Sequence, residues 1–591
     1  LRSSSGIIRE KIRETFGHII SEEDEVRLAN LIYYPEKMIN QIKQANEYTE
    51  DWQKTAVYRL VQICREVSSK YTRSKVRKKM PREFSGVIDE LLYVDNTDDN
   101  KTEYYSELIN TLIDVRVADS FIVVICSLIR SLTIDNLHIL GDIFDRGPRP
   151  DIILEELMHF HDVDIQWGNH DISWMGAATG NRACICNVLR MALGYNGFDV
   201  LEDGYGINLR PLSMFAERVY RDDPCTCFLP QILDKNIYDA VDPKLAAKMH
   251  KAIAVLQYKE EGQIIKHHPE YGMEERILLS AIRYDRGTVT IDGKEYPMRD
   301  MNFPTVDPAD PLRLTDEEEE LLHTLELSFR HNARLHEHVR FLYSNGSMYK
   351  CCNSNLLYHG CIPMTENREF DGLMVGGKMY RGKELMDFID TQVKNAYFLP
   401  EDAPEKEACR DFMWYLWNGA KSPVFGKDKN RSFEHYFIED PEVMRETMNP
   451  YYQLSEEEET CDMILKEFGL PTKGSHIING HMPVKIKSGE TPIRAGGKLF
   501  IIDGGLSKAY QERTGIAGYT LIFNSHHLAL AEHKPFDPER ERTPKVYIVE
   551  KMQKRITVAD TDEGKELAGR IEDLKELLKA YRSGLLKERI R

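Results

Sequence analysis

The chain has 591 residues, 42% of them hydrophobic and 29% charged, with a formal net charge of −18 and a pI near 5.6. That length suits a large buried core, in roughly two to four domains or in one domain with big insertions. The acidity excludes a nucleic-acid backbone as a favoured partner, and the longest apolar run, FIVVICSLI at 121–129, stops at Arg130, far short of a membrane span.

The first hundred residues predict helices. IIREKIRETFGHII, EDEVRLANLIYYPEKMINQI and KTAVYRLVQICREVSSKY space their apolar side chains three and four apart. The basic run KYTRSKVRKKMPRE (70–83) suits a polyanion site or a solvated helix end, and the acidity of the chain favours the second. DSFIVVICSLIRSL fits strand or helix. NLHILG (136–141), short and stopped by glycine, predicts a buried strand; PRPDIILEELMHF predicts a helix; DVDIQWG (162–168) predicts a second strand. Strand, helix and strand in close succession make a βαβ unit, whose chemistry gathers at the carboxyl ends of its strands. Further on, VDPKLAAKMHKAIAVLQYKEEG and TDEEEELLHTLELSFRHNARLHEHVRFLY predict helices, and VTIDGKEYPM a hairpin turning at Asp292–Gly293. NLLYHGCIPM, HIINGHMPVKI, KLFIIDGG, GYTLIFNS and KVYIVEKMQ predict strands, and GKELAGRIEDLKELLKAYRSGLLKERI a final amphipathic helix. The pieces predict one α/β core, at 1–184, 346–364 and 471–591, interrupted by mainly helical insertions at 185–345 and 365–470. No secretory leader is visible. The eleven cysteines include no C-x-x-C pair, which predicts mostly reduced thiols in a cytoplasmic protein. The vicinal pair Cys351–Cys352 suits an oxidation-sensitive site or, more simply, two ordinary buried thiols.

Chemistry-bearing residues recur after the predicted strands. NLHILGDIFDRG (136–147) ends with Asp142, Asp145 and Arg146, and WGNHD brings Asn169, His170 and Asp171 off the second strand. Both sets belong at one sheet edge. His359 in LLYHGCIP and His481 in IINGHMPV each sit beside a glycine directly after an apolar run. One carboxylate, one amide oxygen and two imidazoles offer ligands to a divalent ion such as manganese, iron or zinc, and a carboxylate can bridge two ions. Two other histidine pairs are expected elsewhere: His336 and His338 lie two apart on a helix, on different faces, and His267 and His268 fall in a polar loop.

In order, GDIFDRG, GNHD, YHG, NGH and IIDGG resemble the motif set of the calcineurin-like metallophosphoesterases. LRSSSGIIREKI, WGNHDISWMGAA, LWNGAKSPVFGKDK and NGHMPVKIKSGETPIRAGGKLFIIDGG sharpen this to a resemblance to the class III fructose-1,6-bisphosphatases of bacteria, across nearly the whole chain. The resemblance implies an α/β fold with a calcineurin-like β-sandwich core, flanked by helices and carrying the two insertions. It implies hydrolysis of fructose 1,6-bisphosphate to fructose 6-phosphate and phosphate, in gluconeogenesis, by a hydroxide bridging two divalent ions, with Mn2+ expected. Asp142 would bridge the ions, and Asn169, His359 and His481 would bind the second. Arg146 would hold phosphate oxygens, His170 would protonate the leaving alkoxide, and Asp145 would orient His170. Lys485, Lys487, Arg494 and Lys498 are candidates to grip the nonreacting phosphate, and Trp417 and Gly419 to shape the pocket. The implied partner is a small sugar bisphosphate, not nucleic acid or a membrane, with a homo-oligomer left open. Alternatives are another phosphatase on the same core, acting on phosphoproteins or dinucleotides, and a non-catalytic form. The second alternative arises from a D-x-H block with which the superfamily opens and which supplies an aspartate and a histidine to the first metal. No such block precedes GDIFDRG; the resemblance puts it just ahead of Leu1, so the chain is expected to be cut on its N-terminal side.

Overall fold

The computed structural model describes residues 5–93, 99–231, 242–516, 518–534 and 545–586. These fall into two units: the first gathers the described residues up to Leu137 with His159–Val163 and Lys545–Val546, and the second holds the rest.

Helices of the first unit start where the sequence supplies caps. Ser21, Thr49 and Thr72 each accept a backbone N–H bond from three residues on, opening Glu22–Tyr33, α1 (Glu50–Ser68) and Arg73–Lys79. The ambiguous run DSFIVVICSLIRSL is helical. In α2 (Ala118–Thr133), Phe121, Ile125, Leu128 and Leu132 enter a core shared with Leu60, Val61 and Cys64 of α1. The basic run carries surface ion pairs: Arg73 and Arg77 meet Asp89, and Lys75 and Lys79 meet Asp135.

β1 (Leu137–Ile139), α3 (Pro150–Met158) and β2 (Val163–Gln166) follow in order, all but Leu137 and Val163 in the second unit, and β2 pairs in parallel with β3 (Gly346–Ser347). A five-stranded sheet holds β4 (Tyr349–Cys352), β5 (Asn355–Tyr358), β6 (His476–Asn479), β7 (Ile493–Arg494) and β8 (Leu499–Ile501) in the order β7-β8-β6-β5-β4. β6 runs parallel to both neighbours, with Ile477 opposite Leu356 and Leu499. Every residue of β5 and β6 is buried, including the polar Asn355, His476 and Asn479 at their ends. β9 (Gly518–Phe523), β10 (His527–His533) and β11 (Lys545–Lys551) form a further sheet. Leu357, Ile478 and Phe500 of the five-stranded sheet pack with Leu521 and Leu528 of this one, and Leu140 joins them.

Helices α4 (Asn169–Thr179), α5 (Arg182–Gly194) and α6 (Pro243–His267) follow. The long acidic run predicted as helix is two, α7 (Asp316–Arg330) and α8 (Ala333–Asn345), because Asn332 Oδ1 caps Leu335 N and begins a new helix. The hairpin Thr288–Ile291 to Lys294–Pro297 turns at Asp292–Gly293 as predicted. α9 (Lys406–Asn418) lies in the region 365–470, and α10 (Asp562–Arg582) is the predicted final helix; the last part of that amphipathic run lies outside the described residues. All eleven cysteines are free thiols. Among the described residues no helix is long and apolar enough to cross a membrane.

Candidate metal centre

Parallel strands deliver the residues after them to one edge. His359 directly follows β5, His481 comes two residues after β6, and Gly480 N donates to His359 O at 2.8 Å. Asp142 arrives on the turn after β1 and Asn169 on the turn after β2. Glycines let those two turns touch: a Cβ at Gly141, whose φ is +78°, would lie 2.4 Å from Gly168 N, and one at Gly168 would lie 2.1 Å from Asp142 Oδ1. Asp171, in the first turn of α4, pins both. Its carboxylate accepts the N–H groups of Asp142 (2.7 Å), Ile143 (2.8 Å), Gly168 (3.0 Å) and Phe144 (3.3 Å). Asp142, Arg146 and His481 have left-handed backbone, with φ of 56°, 52° and 66°, a conformation that non-glycine residues hold at functional sites when the surroundings impose it.

Asp142, His359 and His481 bring their ligand atoms within 4.8 Å of one another. His359 Nδ1 lies 2.6 Å from Leu140 O and His481 Nε2 lies 3.0 Å from Phe425 O, so each ring gives its N–H to a backbone carbonyl. What remain are two bare nitrogens, His359 Nε2 and His481 Nδ1, facing each other at 3.1 Å, with Asp142 Oδ2 3.2 Å from the first. Three acceptors with no donor between them require a positive charge, either a proton or a cation. Burial opposes charge on Asp142, but His359, His170 and His481 hold its carboxyl well below the ordinary range. Burial also works against the His359 imidazolium, yet Asp142 raises it to about 9, whereas burial and His359 push His481 down to about 3. Asn169 Oδ1 is buried with no hydrogen-bond partner among the described residues. Three mutually facing acceptors fit a divalent cation, and rings that spend their other nitrogen on a carbonyl have the usual orientation of metal-binding histidines.

A second group shares Asp142: with Asp145 and His170 it also offers atoms within 4.8 Å. His170 Nε2 lies 3.1 Å from Asp145 Oδ1, and His170 N donates to Asp142 Oδ1 at 3.2 Å. The Trp417 indole stands edge-on to the His170 ring at 4.9 Å. Gly419 instead packs on Tyr415, whose ring a Cβ would strike at 2.2 Å. Arg146 is clasped between the rings of Tyr195 (4.4 Å) and Tyr510 (4.9 Å), with Nε buried, unbonded and 3.5 Å from Asp145 Oδ1. Arg146 and His170 also line a narrow cavity with Trp174, Asn187, Met191 and Tyr195.

The structure therefore brings together Asp142, His359 and His481, with Asp145, Arg146 and His170 beside them, and Asn169 precedes His170 at the start of α4. Three of the four expected phosphate-gripping cations are engaged elsewhere. Lys498 Nζ meets Asp462 and Thr472 O, and Arg494 meets Glu456; both precede β8 and so sit at its amino end, opposite the cluster. Lys487 donates to Glu512 O; Lys485 follows His481 on the same loop. His336 and His338 meet Tyr397 and Tyr205, and His268 meets Asp411 and Glu270. Three contributors were given no role by the sequence reading, although Asp171 was noted in WGNHD and Asp503 lies in the quoted IIDGG. Asp171 positions the turns. Asp503, in IIDGG after β8, has its carboxyl pushed up to about 6 by burial, with Asp142 and Asp145 adding to the rise. Lys427 lies close enough to help depress His481. Asp171 and Asp503 carried a signal, the first in GNHD and the second as an acid before paired glycines after an apolar strand; Lys427 carried none.

By fold and chemistry, this is a mixed α/β protein whose strands present a candidate metal-binding group, Asp142, His359 and His481, with an arginine and a histidine–carboxylate pair nearby. The family model for Firmicute fructose-1,6-bisphosphatase matches residues 1–583, and the chain belongs to that family. Similar proteins include the class 3 fructose-1,6-bisphosphatases of Clostridium tetani, 49% identical with 100% of this chain and 90% of the relative covered, and of Clostridium novyi, 49% identical with 100% and 89% covered. The Bacteroides fragilis enzyme of the same name is also 49% identical, over 100% of this chain and 90% of its own length. No solved structure is significantly similar to the chain.

Proposed function

We propose that this chain hydrolyses fructose 1,6-bisphosphate to fructose 6-phosphate and phosphate, as a metal-dependent phosphomonoesterase serving gluconeogenesis in the cytoplasm. Membership of the fructose-1,6-bisphosphatase family supports the reaction. The facing nitrogens of His359 and His481, 3.1 Å apart over Asp142, carry the metal dependence. Asp142, Asn169, His359 and His481 would hold divalent ions, with Asp142 shared and Mn2+ the favoured species. Bound there, such ions supply Lewis acidity toward water and phosphoryl oxygens.

The protein's own groups do the rest. Arg146, its plane fixed between two tyrosine rings, presents a fork to the equatorial phosphate oxygens. His170, oriented by Asp145, protonates the departing alkoxide through its other nitrogen. The sugar occupies the cavity beside Arg146 and His170, where Trp174 offers an apolar wall and Asn187 a polar one. We take the two packed sheets as a calcineurin-like sandwich, with insertions at 185–345 and 365–470. The test is phosphate release from fructose 1,6-bisphosphate, a phosphoserine peptide and a dinucleoside polyphosphate, each with Mn2+ supplied. Preference for the sugar bisphosphate by on the order of 100-fold in kcat/KM is expected; preference for either other substrate rejects the assignment.

A further inference from the structure

α10 is tied down at its first turn and bare beyond it. Asn353 and Asp562 exchange hydrogen bonds of 2.6 and 3.0 Å, and Gly564 is the helix's only buried residue. Leu567, Ile571, Leu574, Leu578 and Tyr581 are 44–64% exposed. Their steps of four, three, four and three residues form a heptad seam, the pattern by which one helix packs along another of the same kind. A helix of 21 residues carries that seam for about 30 Å.

We propose that this seam packs antiparallel against the same helix of a second copy of the chain, making a two-fold homodimer. Among the described residues no other helix bares large apolar side chains at heptad spacing, so the matching surface lies on another copy. Charge chooses the direction. Residues 562–576 carry six acids against three bases, a net of −3, whereas 577–586 carry two bases and no acid, a net of +2. Antiparallel packing sets the basic end of each helix against the acidic stretch of the other, and it opposes the two helix dipoles. Parallel packing would instead face Arg570, flanking the seam, with the partner's Lys575, a like-charge clash; in the antiparallel register Arg570 meets the partner's Leu577 and Lys575 meets the partner's Ala568. Ile571 then layers with the partner's Leu574 and Leu567 with the partner's Leu578, across a two-fold axis near the middle of the helix. The intrahelical pairs Arg570–Glu566, Lys575–Glu572 and Lys579–Glu576 are exposed and lie outside that seam.

Light scattering on the full chain at micromolar concentration reads the mass. Wild type should give twice the 68.5 kDa chain mass, and the double variant Ile571→Asp/Leu574→Asp should give half the wild-type value with unchanged circular dichroism. A monomeric wild type overturns the proposal, whether it stays alone or sediments with anionic vesicles; so does a dimer that survives both substitutions. Direction is read by disulfide trapping. Copies with Leu567→Cys should cross-link to copies with Leu578→Cys under oxidation and not to themselves; self-linking of Leu567→Cys overturns the antiparallel arrangement.

Discussion

Two imidazoles that each give their one N–H to a backbone carbonyl, and then face each other across 3.1 Å, are the most informative pair in the molecule. Asp142 completes the set, and the amide oxygen of Asn169 is buried with no hydrogen-bond partner among the described residues. Arg146 has the opposite character: a cation with an unbonded Nε, held stiff by Tyr195 and Tyr510. Lysine there keeps the charge and loses the fork and the stacking. Arg146→Lys should therefore lower kcat/KM for fructose 1,6-bisphosphate by roughly 10–100-fold, equivalent to about 1.5–3 kcal/mol of charge-assisted hydrogen bonding, with little change in thermal midpoint. An unchanged kcat/KM would remove Arg146 from phosphate binding. At this scale much was legible, because each candidate ligand is a polar side chain beside a glycine just after an apolar run. The role of Asp171 was not, since it depends on N–H groups that lie nearly thirty residues earlier in the chain.

Elements explain why those side chains converge. The turns after β1 and β2 pack glycine to backbone, and Gly168→Ala would drive a methyl to 2.1 Å from Asp142 Oδ1 and 2.5 Å from Asp142 N. Overpacking of this kind costs about 1–3 kcal/mol; the variant should unfold at lower urea and release phosphate more slowly, and wild-type values in both assays would refute the packing. β1 and β2 are also joined by His138 Nδ1 and Asp164 Oδ1 at 2.8 Å. Burial disfavours the His138 imidazolium, but Asp164 and Cys352 raise it to about 9 from an ordinary 6.5. A raised folded value stabilises fully below 6.5, and the benefit is lost as pH climbs through about 9. The urea midpoint should fall across that interval and His138→Gln should flatten the fall; an equally steep fall in the variant would assign it to other groups. The sequence pattern found β5, β6 and β8 because each has adjacent buried apolar residues, Leu356–Leu357, Ile477–Ile478 and Leu499–Phe500. It left 118–133 open, since a continuous apolar run buries equally well as strand or helix. It also misjudged Arg494 and Lys498. Nearness to His481 in the chain does not reveal that β7 and β8 form an antiparallel pair, which carries both to the far end of the sheet.

For the whole molecule, a net charge of −18 sets the problem that the site must solve. An anionic sugar bisphosphate reaches an acidic protein only where cations gather, and the described cationic side chains near the cluster are few, Arg146 and Lys427. Metal ions would supply the missing positive charge, so metal binding and substrate binding are one electrostatic question. Titrating Mn2+ into metal-free chain, by calorimetry alongside phosphate release, decides it for wild type and Asp142→Asn. Saturable binding that restores activity in the wild type, with both weakened by about 100-fold or more in Asp142→Asn, is the expected result. Equal Mn2+ affinity in the two proteins would show that the acceptors around Asp142 hold a proton and no metal.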